Sequence, residues 1–284
     1  MSSAPGPHTG IFREENAALR CLFGYAGNDL ERPIPEVVLH CPKLESSTIK
    51  DVLFVSVDVD TFQGYEKISE GQKYHIGVTI LDTRRLIDLY NTSTTDTWNT
   101  ERIVKSTIKS YQYTIGRHRY TQRADRRFSF GASEAIDLSD IQAKFGTLVA
   151  QRRYVLVVHG GNEDAKFLEN FGIVSSAAYI MDTVKAAQFI LRLHYRYSLE
   201  RLLEALQIEY RNLHAAGNDA HYALRALLML TVKDAEQQRS TNSLVDDRLI
   251  RCLKRIEQTL APGADSSTSG TTQVSHHGHQ VPRH

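Results

Sequence analysis

The segment Val52–Val57 consists mostly of branched apolar residues and leads directly into two acids, Asp58 and Asp60. A short apolar run of this kind is typical of a strand that is buried on both faces of a sheet. Tyr154–Val158 repeats the pattern, and Asp164 follows it after a short polar segment. Two buried strands that lead into acids predict an α/β fold with a site at its strand ends.

Further elements are expected around these two runs. Tyr74–Leu81 alternates as a strand, Leu86–Tyr90 reads as a third strand after a turn, and Ala177–Met181 reads as a fifth. Helical spacing is expected over residues 14–23, 134–150, 165–171, 182–195, 198–206, 218–232 and 246–260. The order predicts a mixed five-stranded sheet flanked by helices, with residues 91–131 as a long polar insertion.

Composition divides the chain into four parts. We expect a variable lead-in over residues 1–45, a main domain over 46–235, a C-terminal helix over 236–261 and a disordered tail over 262–284. The tail is rich in Ser, Thr, Gly and His and cannot bury enough apolar surface to fold. The 284 residues, 41% of them hydrophobic, suffice for one core of about 200 residues.

Charge and cysteine usage exclude several classes of protein. The formal net charge is only +1, so affinity for nucleic acid would have to come from a local patch. Three widely spaced cysteines indicate neither a zinc site nor a disulfide framework. No signal peptide and no apolar run of about 18 residues is recognisable. The sequence therefore predicts an intracellular protein, cytoplasmic or nuclear, with no membrane partner.

A third acidic segment completes a candidate site. His214 precedes Asp219 by five residues at the start of an expected helix. Carboxylate oxygens are the ligands that hard divalent cations prefer, and an imidazole can act as a general base. Four carboxylates and one imidazole from three separated segments predict a metal-dependent nuclease.

The order of these motifs resembles the DEDDh branch of the ribonuclease H-like 3′–5′ exonucleases. That family carries Asp-x-Glu after its first strand, His-Asn-x-x-x-Asp-x-x-Phe-Leu mid-chain, and His-x-Ala-x-x-Asp late. The matching positions are Asp58 and Asp60, then His159, Asp164, Phe167 and Leu168, then His214, Ala216 and Asp219. Asp60 replaces the family's Glu, and Gly160 replaces its Asn. Met181-Asp182-Thr183 and the Ser198-Leu199 helix also resemble segments of the family. The sequence of the last motif and the long insertion that ends at Phe128–Glu134 resemble a fungal branch of it.

The resemblance implies a ribonuclease H-like fold and a two-metal-ion hydrolysis of phosphodiester bonds in RNA or single-stranded DNA. Asp58, Asp60, Asp164 and Asp219 would hold two Mg²⁺ or Mn²⁺ ions. His214 would be the general base, whereas His159 and Asp182 would support the site. Because Asp60 is shorter than Glu by one methylene, about 1.5 Å, weakened metal binding is expected.

The insertion is locally basic. From Glu101 to Phe130 it holds eight Lys and Arg against two acids, with five aromatic residues interleaved. Neutralisation of phosphates together with stacking of bases on aromatic rings is how proteins hold single strands. We expect Arg117, Arg119, Arg126 and Arg127 to contact nucleic acid. The alternative is a solvated loop whose aromatic residues fill the protein's own core.

Two other functions stay open at this point. The chain could be a weak or inactive module of the same fold that binds nucleic acid or protein partners in RNA metabolism, as in RNA silencing or messenger-RNA export. It could also be a sugar or nucleotide phosphodiesterase that uses the same metals. Binding that grows stronger with oligonucleotide length would favour the nuclease or the binding module, and its absence would favour the phosphodiesterase.

Overall fold

The computed structural model describes residues 10–28, 30–61, 73–91, 103–104, 106–116, 122 and 124–259. Arg117 and Arg119 of the basic insertion and the predicted tail over residues 262–284 lie outside the described residues. The predicted boundaries of the lead-in and of the C-terminal helix remain predictions.

One mixed β-sheet forms the centre of the described fold. Its strands lie in the order β4-β3-β2-β1-β5-β6. The β1–β2 and β2–β3 pairs are antiparallel, whereas β3–β4, β1–β5 and β5–β6 are parallel. The strands are β1 (Leu53–Thr61), β2 (Tyr74–Asp82), β3 (Ile108–Ile115), β4 (Ser133–Ala135), β5 (Tyr154–Val158) and β6 (Tyr179–Asp182). This arrangement confirms the predicted α/β, ribonuclease H-like class.

Helices cover both faces of this sheet. They are α1 (Glu14–Leu22), α2 (Glu36–Leu39), α3 (Thr83–Asn91), α4 (Ile141–Val149), α5 (Asn162–Glu169), α6 (Thr183–Ile190), α7 (Leu199–Leu206), α8 (Ala216–Gln238) and α9 (Asp247–Thr259). Ser198 caps α7 as predicted, since its hydroxyl accepts a hydrogen bond from the amide of Arg201 at 3.3 Å. Within the described residues, no helix is both long and apolar enough to cross a bilayer.

Two predicted features of the sheet are wrong. Leu86–Tyr90 belongs to helix α3, where Leu86 and Leu89 share one buried face at helical spacing. The sheet has six strands in the described part of the chain, not five, because the polar insertion contributes β3 and a short strand β4 follows it, while Leu86–Tyr90 is helical. Strand β4 overlaps the start of the helix expected over residues 134–150, which begins only at Ile141. Strand β3 was missed although Tyr111–Ile115 alternates apolar with polar residues, the pattern typical of a half-buried strand.

The alternation of side chains along β1 divides the interior into two cores. Val55, Val57 and Val59 point into one core, together with residues of α4 and α5. Phe54 points into the other core, with the helices α1, α3, α6, α7, α8 and α9. Helix α1, within the predicted lead-in, therefore packs in the same core as α8. The face that carries Phe54 also carries the next even-numbered residues of β1, as the period of a strand requires.

Candidate active site

Asp58 and Asp60 occupy alternate positions near the end of β1. Two residues apart on a strand, they lie on one face of the sheet, the face covered by α8. Ser56, on the same face, is fully buried, Asp58 is partly buried, and the Asp60 side chain is 48% exposed. The strand thus runs out of the core with its acids at the solvent boundary.

A glycine lets helix α8 start directly against these strands. Gly77 of β2 is the register partner of Asp58 on β1. A Cβ placed on Gly77 would lie 1.9 Å from the carbonyl oxygen of Ala216, the first residue of α8. No side chain can occupy that space, so the backbones of β2 and α8 meet in direct contact. This contact brings the first turn of α8 beside Asp58.

Asp219 lies in that first turn, and the His214 backbone is fastened to it. The amide nitrogen of His214 donates to the Asp219 carboxylate, at 3.2 Å to Oδ1 and 3.0 Å to Oδ2. His214 has a left-handed backbone, with φ of 64°, and its side chain is exposed. The carboxylate therefore fixes the position of the histidine backbone and leaves the imidazole open to solvent.

The third segment supplies Asp164. It lies in the first turn of α5, which follows β5, the parallel neighbour of β1. Gly160, at the position where the family has Asn, adopts φ of 67° in the turn between β5 and α5. Gly and Asn are the residues that enter this left-handed region most readily, so the replacement preserves the turn. The predicted supporting residues hold this turn: the Asp182 carboxylate accepts a hydrogen bond from the Gly160 amide at 3.0 Å, and His159 Nδ1 lies 2.8 Å from the Thr183 hydroxyl.

The four carboxylates share one electrostatic environment. Burial raises the pKa of Asp58 well above its usual value, and the charges of Asp164, Asp219 and Asp60 raise it further. Burial also raises the pKa of Asp219 to about 6, an effect that its bond to His214 opposes. Like charges raise one another's pKa values only at short range in a poorly solvated site. Asp58 therefore lies within electrostatic reach of acids from the other two segments.

The donor set fits a hard divalent cation, although the side chains are not arranged as a finished cage. Among the described residues, no three His, Cys, Asp or Glu side chains have the arrangement of a preformed metal site. All-oxygen donors of net negative charge suit Mg²⁺ or Mn²⁺ better than softer metals.

Asp60, unlike a residue in contact with acids alone, also lies near a histidine. Its Oδ2 lies 3.8 Å from Nδ1 of His75, the residue opposite it on β2. Burial lowers the pKa of His75, whereas the charge of Asp60 opposes that effect. The short side chain that replaces the family's Glu is thus placed between the acid cluster and a neighbouring imidazole.

The end of the basic insertion holds the segment that carries His214. Asn218, fully buried, accepts a hydrogen bond from the Ser129 amide at 2.9 Å and donates to the carbonyls of Arg127 and Asn212, both at 2.8 Å. Arg127 Nη2 donates to the carbonyl of Leu213 at 2.9 Å. Asn218 lies inside α8, whose N-cap is Ala215. It ties two distant segments together at the site.

The described arginines and the described aromatic residues of the basic insertion lie in different surroundings. Arg126 and Arg127 are exposed, and the charge of Arg127 acts on Asp219 and His75 at the site. The aromatic residues of the insertion behave differently. Tyr113 and Phe128 are buried, and Phe130 stacks on the His221 ring with centroids 3.5 Å apart. The described rings therefore fill the core, as the alternative interpretation of the insertion predicted, and are not open for stacking with bases.

Gly77, Asn218 and the Arg127–Leu213 contact were not identified as parts of the site from the sequence. An isolated glycine within an alternating strand is a known sign of close backbone approach, so Gly77 could have been noticed. The other two depend on contacts across about ninety residues of chain, for which a single sequence carries no signal.

Comparison with known proteins identifies the domain. The sequence model of one family, described as DEDDh_C, "DNA polymerase III subunit epsilon-like, C-terminal domain", matches residues 53–230, more than half of the chain. No curated protein matches the chain. The matched segment begins with β1 and ends within α8, so it contains all four acids and His214.

Proposed function

The chain belongs to the DEDDh family of DNA polymerase III epsilon-like domains, and we propose that it is a metal-dependent 3′–5′ exonuclease of RNA or single-stranded DNA. The observation that carries the proposal is the shared field of four carboxylates from three segments. An uncompensated cluster of this kind destabilises a fold, and divalent cations compensate it.

Asp58, Asp164 and Asp219 would hold the cations, with Asp60 as a weaker fourth ligand. When bound, Mg²⁺ or Mn²⁺ ions neutralise the charge that develops on a phosphoryl group during in-line displacement. The Asp219 carboxylate also fixes the backbone of His214, so the metal ligand and the histidine are positioned together.

His214 would act as the general base. Its exposed imidazole can take a proton from the attacking water and release it to solvent after hydrolysis. A positioned base of this kind contributes about 10²–10⁴ in rate. The adjoining bond from Arg127 to Leu213 restrains the same loop, which limits the positions available to the imidazole.

Arg126 and Arg127 support a nucleic-acid substrate. Both side chains are exposed, and the charge of Arg127 opposes the rise in the pKa of Asp219 that burial causes. Removing one arginine–phosphate interaction should reduce the slope of log affinity against log salt by about 0.7–0.9. Neutralising Arg117, Arg119, Arg126 and Arg127 together should weaken single-strand binding and flatten its salt dependence, and an unchanged salt titration would remove this part of the proposal.

The deciding experiment uses 5′-labelled single-stranded RNA and DNA with Mg²⁺ or Mn²⁺. Wild type should shorten the strand one nucleotide at a time from its 3′ end, and both Asp58→Asn and His214→Ala should abolish the ladder. Glu163→Gln is the matched control, because Glu163 adjoins Asp164 but is exposed and paired with Lys166 at 2.9 Å. Equal degradation by wild type and by Asp58→Asn would refute the proposal.

The position of Asp60 favours one second candidate function, a catalytically weak or inactive module that binds nucleic acid or protein partners in RNA metabolism. Its carboxylate is 48% exposed and lies near His75, so the fourth ligand is the weakest part of the site. Under this alternative the chain would bind single strands without shortening them, and Asp58→Asn would leave binding unchanged.

A further inference from the structure

A second surface beside the acids has the composition of a single-strand contact. The segment between α6 and α7 contains Arg192, His194, Tyr195, Arg196 and Tyr197, and the chain has no acid between Asp182 and Glu200. Tyr195 is 57% exposed, the joint highest value among the exposed large hydrophobic residues of the described chain. This surface differs from the basic insertion, whose described aromatic residues are partly or fully buried.

The two tyrosines form an ordered pair. Their ring centroids lie 5.4 Å apart with an interplanar angle of 48°. The neighbouring Tyr195 side chain also raises the pKa of Tyr197. A ring held by such a partner loses little conformational freedom when a flat ligand stacks on it.

The pair lies at the edge of the sheet where the site is. The His159 imidazole lies against the backbone of Tyr197 and also contacts Thr183. His159 follows directly on the last residue of β5, and Asp164 lies in the first turn of the helix that comes next. One residue therefore joins the tyrosine segment to the turn that presents an acid.

The charge of the segment matches a polyanion. Arg192, His194 and Arg196 are exposed along with Tyr195. Guanidinium groups beside an accessible aromatic ring are the combination that proteins use to hold unpaired bases and their phosphates. A folded core contact would bury Tyr195, and an ordinary solvated loop would have no need of a paired, exposed ring.

We propose that the segment Arg192–Tyr197 is a single-strand docking surface, in which a base stacks on Tyr195 while Arg196 contacts the phosphate backbone. The proposal rests on the proposed function for the class of its ligand, which is an unpaired nucleic-acid strand. It adds a contact on the β5–β6 side of the site, opposite to the side on which the basic insertion packs.

The test measures binding of a fluorescent ten-nucleotide single strand to the full chain in EDTA, by anisotropy over a range of salt concentrations. Tyr195→Leu should weaken binding about 5- to 100-fold, as loss of one stacked base predicts, whereas Tyr195→Phe should retain it. Arg196→Gln should reduce the salt slope by about 1. Arg251→Gln, which removes an exposed arginine from α9, is the matched charge control and should change neither quantity.

The outcomes separate the two proposals. Equal binding by wild type, Tyr195→Leu and Arg196→Gln would overturn the docking surface, even if Asp58→Asn abolishes hydrolysis. Binding that depends on Tyr195 without any metal-dependent hydrolysis would support the surface and would contradict the exonuclease. Equally weakened binding in Tyr195→Leu and Tyr195→Phe would assign the effect to the hydroxyl and overturn the stacking contact.

Discussion

Replacing Gly77 by alanine should disable the site without touching any acid. The added Cβ would lie 1.9 Å from the carbonyl oxygen of Ala216, and real Cβ atoms essentially never approach closer than 3.0 Å. The start of α8 must therefore move away from β2 by roughly 1 Å, and Asp219 and His214 must move with it. A misplacement of about 1 Å costs about 10²-fold in rate. We expect a loss of that size in nuclease activity from Gly77→Ala.

The same clash should lower stability. Overpacking a well-packed site costs about 1–3 kcal/mol, which corresponds to a fall in Tm of roughly 3–10 °C for a domain of this size. Gly146→Ala is the matched control, because a Cβ there would meet nothing within 4 Å and the residue lies inside helix α4. That variant should keep full activity and gain about 0.5–1 kcal/mol of stability. If Gly77→Ala behaves like Gly146→Ala in both assays, the close contact between β2 and α8 does not position the site.

Three further predictions follow from the site. The pKa of Asp219 is raised to about 6 in the fold, above its usual value of 3.8, so its stabilising contribution is complete below about pH 4 and is lost as the pH rises through 6. In chemical denaturation without divalent ions, Asp219→Asn should therefore be more stable than wild type at pH 7.5 by about 1–3 kcal/mol, after allowance for partial exposure. Its free energy of unfolding should also depend less on pH than that of wild type, and a steeper dependence would contradict this prediction. Asp60→Glu should restore the family's longer ligand and raise activity at limiting Mn²⁺ several-fold, whereas lower activity would show that the strand end has adjusted to the shorter acid. Asn218→Ala leaves the Ser129 amide and the carbonyls of Arg127 and Asn212 without their hydrogen-bond partner, and should cost about 2–4 kcal/mol in chemical denaturation. A change below about 0.5 kcal/mol would show that this link between the two segments is dispensable.

The parts of the fold that depend on local pattern could be predicted from the sequence. The run before Asp58 is buried because its residues are apolar on both faces, and the leucines after Ser198 share one face of a helix. Leu86–Tyr90 was predicted wrongly because five residues fit either period, and the Asp82 carboxylate, which accepts a hydrogen bond from the Arg84 amide at 3.0 Å, starts a helix there.

The site was predictable in its residue types and not in its arrangement. Acids after apolar runs indicated the edge of the sheet at which the carboxylates lie, since the carboxyl ends of parallel strands such as β1 and β5 share one edge. Gln112 illustrates what could not be predicted: it is polar and within a strand, yet it is buried because it accepts from the Gly217 amide and donates to the carbonyl of Ala124. Contacts of this kind arise only when distant segments meet.

The central claim is that carboxylates from three segments together hold divalent cations. Titration of the full chain with Mn²⁺, followed by the decrease of the free-ion electron paramagnetic resonance signal, measures this directly. We predict that wild type binds Mn²⁺ and that Asp58→Asn, Asp164→Asn and Asp219→Asn each weaken binding at least about 10-fold, since loss of even an outer-shell partner of a metal ligand costs about 10–100-fold in affinity. Glu163→Gln should bind as wild type does. Equal Mn²⁺ affinity in wild type and in all three Asp→Asn variants would contradict the account.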